Sequence, residues 1–225
     1  MAPFDSLNLS EAVGDDALAV AENRRRFAAA IGARPVWLKL VHGRDVLRLT
    51  AATGDRPPTA ADAAWTTERG LACTVTAADC LPVFFAARDG RAVAAAHAGW
   101  RGLAAGVLEA TLQALEQGAG VAASDVLAWL GPCIGPRQFE VGGDVLRAFG
   151  ATPGNAGLRF VAAQRRDGSD GWHADLAGLA RDRLRAAGVC EIGAAGACTV
   201  ENGARFFSFR RSRVTGRMAA AIWRH

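Results

Sequence analysis

Residues 71–102 read LACTVTAADCLPVFFAARDGRAVAAAHAGWRG, and this stretch sets the fold class. Leu71 to Thr76 is apolar and β-branched, which predicts a strand. Val83 to Ala87 predicts a second. Asp89-Gly90 is a turn signal, and Arg91 to Ala96 predicts the return strand of a hairpin. Gly102 to Gln117 then carries helical periodicity. Leu103, Val107, Leu108, Thr111, Leu112 and Leu115 fall on one face, and Gly118 is the expected stop. Strands in succession followed by a helix lack regular strand-helix alternation. The pattern predicts an α+β fold rather than a doubly wound sheet.

Working outward, Asp16 is placed to cap a helix through Ile31, with Val20, Phe27 and Ile31 inward and Gly32 as the stop. Pro35 opens an extended run, Val36 to Val41, that ends at His42-Gly43. Thr53 to Pro58 is a loop on its Gly and Pro content. Val126 to Leu130 predicts a short buried strand running into Gly131-Pro132-Cys133. Gly150 to Gly157 and Arg165 to Gly171 predict loops. Asp175 caps a helix with Leu176, Leu179 and Leu184 inward and Gly188 as the stop. Arg205 to Arg224 reads as strand with one turn at Thr215-Gly216.

The length, 225 residues, suits one domain over residues 1–225. A hydrophobic fraction of 51% excludes a disordered chain. No run reaches about 18 apolar residues without a charge, so a spanning helix is not expected. The opening, with Asp5, Glu11, Asp15 and Asp16 and no basic residue, does not read as a secretory signal and predicts a cytoplasmic protein. The 5 cysteines form no pair of CxxC knuckles, which argues against a disulfide framework or a structural four-ligand zinc site. The net charge of +4 comes almost wholly from arginine, with Lys39 the only lysine, and does not by itself imply nucleic-acid binding.

Three segments place a reactive residue where a strand stops beside Gly or Pro: Val41-His42-Gly43, Asp79-Cys80-Leu81-Pro82 and Ala96-His97-Ala98-Gly99. Two imidazoles and one thiolate suit Zn²⁺, and three protein ligands leave one position open, as in catalytic zinc sites. The alternatives are structural. His42 would be a turn histidine bonded to backbone, Cys80 a buried small apolar residue, and His97 a core histidine satisfied by a carbonyl.

The strings NLS near the start, WLKLVHG, TAADCLPVFFA, AAHAGWRGLAAGV, GPCIGPRQFEVG, CT, and FFSFRRSRVTGRMAAAIW occur in order from Asn8 to Trp223. Together they resemble the laccase-domain family, also called the polyphenol oxidase or YfiH-like family. The resemblance implies a purine nucleoside phosphorylase with adenosine deaminase activity, acting on adenosine, inosine, guanosine and methylthioadenosine, with phosphate as co-substrate. It implies that His42, Cys80 and His97 are the metal ligands and the catalytic centre. It implies a layered α/β sandwich with mixed sheets, like the catalytic domain of cytotoxic necrotizing factors. Leu40 stands where the family usually has Gln.

The laccase name meets a supply limit. A trinuclear copper cluster takes about eight histidines beyond a blue-copper site, and the chain has 4. A lone Cu²⁺ on the same His₂Cys set remains open, with only Met1 and Met218 to offer an axial thioether. Two further alternatives stand. One is a metal-free hydrolase with Cys80 as nucleophile and His97 as base. The other is a nucleic-acid-binding module using Arg205, Arg210, Arg211, Arg213 and Arg217 with the interleaved phenylalanines.

Around the centre, Asp79 is placed to orient a ligand imidazole, to shuttle a proton or to cap its turn. Arg101, at the start of the best helix and close after His97, is the expected anion or substrate-binding residue. Cys133 reads as structural in preference to pocket-lining, and Glu140 as a group that binds a hydroxyl, an acid or a solvated charge. In a strand, Phe207 and Phe209 would share one face and enter the core. The arginine-rich end is therefore given to the pocket or the scaffold, and neither nucleic acid nor membrane is an expected partner.

Overall fold

The computed structural model describes residues 3–55, 58–165 and 168–225. After a 3₁₀ turn at Glu11–Val13, α1 (Ala17–Ile31) runs along the surface, capped as its sequence requires. The Asp16 carboxylate accepts the Ala19 N–H at 2.8 Å, and Gly32 turns left-handed at φ 63° to end the helix. The strands that follow are β1 (Arg34–Val36), β2 (Val46–Arg48), β3 (Ala63–Thr66), β4 (Leu71–Ala77), β5 (Leu81–Ala87) and β6 (Val93–Ala98). Then come α2 (Trp100–Ala105), α3 (Val107–Ala119), β7 (Val126–Leu130), β8 (Glu140–Val141) and α4 (Gly143–Ala148). The last elements are β9 (Phe160–Gln164), β10 (Asp170–Ala174), α5 (Leu176–Ala186), β11 (Glu191–Ala194) and β12 (Met218–Trp223).

A six-stranded sheet in the order β11-β7-β5-β6-β3-β2 is the central layer, mixing parallel and antiparallel pairs. The expected β5–β6 hairpin is its middle. Period-two alternation assigns the faces. Leu81, Val83, Phe85, Ala94, Ala96 and Ala98 join Leu103, Leu108, Leu115 and Leu184 in the larger core, under the helices. Val93, Ala95 and Ala64 join Val36, Cys73 and Val75 in a second core against the sheet β1-β4-β12. A third small sheet, β8-β10-β9, completes a mixed α/β fold. No helix among the described residues is long and apolar enough to cross a membrane.

Several expectations change. The helix expected over Gly102 to Gln117 begins at Trp100 and is broken at Gly106, which sits at φ 95°. That conformation is cheap only for glycine. Gly118 lies inside α3 and does not end it; a Cβ there would stand 2.2 Å from the Trp65 ring, so its role is to seat the indole. Gly120 is the true cap.

The end of the chain is a strand only over β12, antiparallel to β4. Before it, Arg205 to Arg217 is an irregular arm whose backbone is tied by side chains. The Arg211 guanidinium donates to the carbonyls of Thr199, Val200 and Phe206. Phe209 is consequently 40% exposed and not in the core. Thr53 to Asp55 belong to a 3₁₀ turn, and the rest of that expected loop includes residues 56 and 57, outside the described residues. The expected loop Arg165 to Gly171 likewise includes the undescribed 166 and 167.

Candidate metal centre

The three segments singled out in the sequence converge. Cys80 follows the β4–β5 turn, where Asp79 takes φ 95°. A non-glycine residue in that region costs about 1–3 kcal/mol and persists only when its surroundings fix it. Here three segments do so. The Asp79 carboxylate accepts from Thr199 Oγ1 and from the Arg210 N–H, each at 2.6 Å, and its carbonyl accepts from the Ile134 N–H at 2.9 Å. Asp79 thus holds its turn and docks the C-terminal arm.

His42 is also left-handed, at φ 59°. Its loop is held by Asp62, which the sequence reading did not single out. This carboxylate is 0% exposed. It accepts the backbone N–H groups of Val41, His42 and Gly43 at 3.1, 2.9 and 2.7 Å. It also pairs with His97 Nδ1 at 2.9 Å, and the Asp62 carbonyl accepts the His97 N–H at 2.7 Å. His97 is fixed on β6 at both backbone and ring.

One donor atom from each of His42, Cys80 and His97 lies within 4.8 Å of the others. Cys80 Sγ is 3.9 Å from His42 Nε2, and the imidazoles meet edge to face with centroids 4.9 Å apart. Donors sharing one zinc ion stand roughly 3.5 Å apart, from bond lengths of about 2.3 Å to sulfur and 2.0–2.1 Å to nitrogen. A slight inward movement of the side chains closes the difference.

The donor set fits a single divalent cation with one open position. Asp62 takes the Nδ1–H of His97, which leaves the Nε2 lone pair for the ion. Gly99 supplies the space: a Cβ there would be 2.9 Å from Cys80 Sγ and 3.0 Å from His42 Cδ2. An axial thioether is missing from the described residues, because Met218 Sδ accepts the Phe207 N–H at 3.0 Å and Met218 lines a different pocket.

The local electrostatics support a thiolate. Burial alone would raise the Cys80 thiol, but the adjacent His97 charge and hydrogen bonds from both imidazoles outweigh it and bring it down to about 6. Burial alone would lower His97, but the Cys80 charge and the Asp62 bond raise it to about 9. Burial also opposes the Asp62 charge, yet the His97 and backbone hydrogen bonds hold its carboxyl below the usual range. Cys133, by contrast, is pushed up to about 12, first by burial.

The centre forms part of the wall of a cavity of about 710 Å³, within the usual size of a small-molecule site. Trp37, Lys39, Leu40, Phe209 and Arg217 also line it. Arg24 lines it too, but its guanidinium pairs with Glu11, donates to the Leu9 carbonyl at 3.0 Å and stacks on Trp37.

Arg101 is not brought to this cavity. It is exposed, its guanidinium 4.3 Å above the Trp100 ring, on a helix of only 6 residues. Cys133 is buried beside Cys198, whose Sγ accepts the Gly135 N–H at 3.2 Å, so it belongs to the scaffold. Glu140 is on β8, 3.6 Å from Arg165 Nε and outside the cavity. Asp62 left one trace in the sequence, a lone carboxylate in the apolar run Ala60 to Trp65.

Over residues 1–225 the sequence matches the family described as multi-copper polyphenol oxidoreductase laccase. It is 50% identical over 222 residues to a purine nucleoside phosphorylase of Pseudomonas aeruginosa, covering 99% of this chain and 87% of that one. It is 47% identical over 223 residues to the purine nucleoside phosphorylase YfiH of Escherichia coli, covering 98% and 87%. Among solved structures, a Neisseria meningitidis DUF152 protein superposes with a TM-score of 0.88 at 42% identity, covering 98% of this chain and 87% of that one. YlmD of Geobacillus stearothermophilus superposes at 0.90 with 33% identity, covering 100% and 87%. The expected family is therefore shown: this chain belongs to the laccase-like polyphenol oxidoreductase family, whose curated relatives are named purine nucleoside phosphorylases.

Proposed function

We propose that the protein is a metal-dependent purine nucleoside phosphorylase that also deaminates adenosine, with His42, Cys80 and His97 holding Zn²⁺. The observation that carries this reading is the His₂Cys donor cluster opening onto a cavity roomy enough for a nucleoside, in a chain whose relatives bear that name. Bound there, the ion supplies Lewis acidity, worth several kcal/mol of charge stabilisation. In phosphorolysis a phosphate oxygen bonds to ribose C1′ as the C1′–N bond of the purine breaks, and the departing base takes up a proton. In deamination water replaces the amino group at C6 and ammonia leaves. The chain's own part is to orient the ligands through Asp62, to hold the nucleoside against Trp37 and Phe209, and to fix the phosphate. Adenosine, inosine, guanosine and methylthioadenosine are the substrates proposed, in the cytoplasm.

Copper on the same ligands is the metal that the family's description suggests. The chain's 4 histidines fall short of a multicopper cluster, and a thiolate with two imidazoles also suits zinc. A second reading has its own support. The thiol lowered to about 6 beside a protonated imidazole is also the state of a metal-free Cys-His nucleophile.

Chromatography of adenosine incubated with the protein, with and without phosphate, tests the main reading. Adenine formed only with phosphate is phosphorolysis, and inosine formed in both is deamination. Neither product, together with no metal in the purified protein and rapid iodoacetamide labelling of Cys80, would favour the hydrolase.

A further inference from the structure

We propose that Arg217 is the phosphate-binding residue of this cavity, its guanidinium held in advance to receive two oxygens of a phosphate group. The role of that phosphate in the reaction rests on the function proposed above; the binding rests on the geometry.

Arg217 is fixed from several sides. Its backbone N–H donates to Asn8 Oδ1 at 2.9 Å, and its carbonyl accepts the Leu9 N–H at 3.1 Å. Asn8 and Leu9 are themselves buried. One edge of the guanidinium, Nη1, donates to the carbonyls of Thr215 and Gly216 at 2.8 and 3.0 Å. The Phe209 ring lies 5.6 Å from Cζ. Nε and Nη2 make no hydrogen bond among the described residues.

No carboxylate among the described residues lies within ion-pair distance of this guanidinium. Arg24, which also lines the cavity, has Glu11 as its partner, and Arg159 and Arg183 have acidic partners elsewhere. Arg217 is half-buried and lines the same cavity as Cys80 and His97. Burial pushes its pKa down, partly offset by the negative charges of Cys80 and Asp79. A half-buried guanidinium with no carboxylate in ion-pair reach, and with one edge tied to backbone carbonyls, suits an anion brought by the ligand. A planar fork matches a phosphate better than an ammonium does. Lys39, exposed on the same cavity, adds a second positive charge.

The phosphate group has two possible sources, free inorganic phosphate or the ester of a nucleoside 5′-monophosphate. Equilibrium dialysis of the full-length protein with labelled phosphate, and separately with adenosine 5′-monophosphate, distinguishes them. For at least one of the two, Arg217→Gln should weaken binding at least tenfold. Arg185→Gln, which removes an exposed charge on α5, should leave it within twofold. Arg217→Lys keeps the charge and loses the fork; it should also weaken binding, and it covers the case in which the Gln variant fails to fold. If phosphorolysis is observed, the phosphate KM should rise in parallel while the adenosine KM stays within twofold. Absence of phosphorolysis with Arg217-dependent phosphate binding would refute the proposed activity and keep this site. Wild-type protein that binds neither ligand, or folded variants that bind both unchanged, would overturn the inference.

Discussion

Asp62 and His97 are joined by a 2.9 Å contact from carboxylate to Nδ1, and the same carboxylate receives the N–H groups of the His42 loop. One buried acid therefore sets the orientation of two proposed ligands on separate segments. Asp62→Ala orphans three backbone donors and a ring donor, at about 1–3 kcal/mol each where they stay buried. Loss of such an outer partner lowers metal affinity about 10–100-fold. Zinc affinity by chelator competition and stability by urea unfolding should both fall. A stability loss with unchanged zinc affinity would restrict Asp62 to the scaffold. Because its folded pKa is depressed, its stabilisation is complete above the ordinary carboxyl range and is lost as pH falls through the lower folded value.

Metal-free protein should show a reactive thiolate in mild acid. Cys80 is lowered to about 6, whereas an ordinary thiol titrates near 8.5. The iodoacetamide rate at Cys80 should rise with pH to half its plateau near pH 6, and added zinc should suppress it. A rate that rises only above pH 8 would mean that the imidazoles do not stabilise the thiolate.

Cys80→Ala should abolish metal binding and nucleoside turnover while leaving the fold. Its side chain is in neither hydrophobic core, where Leu103, Leu108 and Leu115 carry the packing. Metal analysis should fall from one ion per chain to none, with far-UV circular dichroism unchanged. Turnover that persists in the metal-depleted variant would place the chemistry elsewhere.

Two glycines should separate site from scaffold. In Gly99→Ala the new methyl meets Cys80 Sγ at 2.9 Å and His42 at 3.0 Å, both side-chain atoms. Zinc affinity should drop with little change in the thermal stability of the metal-free protein. In Gly102→Ala the methyl meets the Gly43 carbonyl at 2.8 Å, which is backbone. That variant should lose stability in the metal-free form as well, measured by calorimetry. Equal behaviour of the two would contradict this assignment of their neighbours.

The hairpin, the caps of α1 and α5 and the apolar face of α3 were legible because each is a local signal. Asp16 caps three residues ahead, and Gly90 turns the chain on the spot. The break at Gly106 was not legible, since Gly106 and Gly118 look alike in a helical period. Only the fold reveals that one turns left-handed and the other faces Trp65. The three proposed ligands were visible as residue types at strand ends. Asp62 was not, because a lone acid in an apolar run announces burial without naming a partner. Arg101 draws the anion role from the sequence on its proximity to His97 in the chain. In space, the arm that Asp79 docks carries Arg217 to the cavity, while Arg101 stacks on its neighbour Trp100.

The Asp79 carboxylate also has a consequence for the order of assembly. Its bonds to Thr199 and Arg210 close loops of 120 and 131 residues. Contacts of such range form slowly, because the entropy of closing the loop is spent before any contact repays it. Helices such as α3, which need only their own neighbours, form first. The turn that presents Cys80 is complete only once the distant arm has docked. Ion uptake in a refolding experiment should therefore lag behind the recovery of helical signal, making the metal a reporter of the last long-range closure.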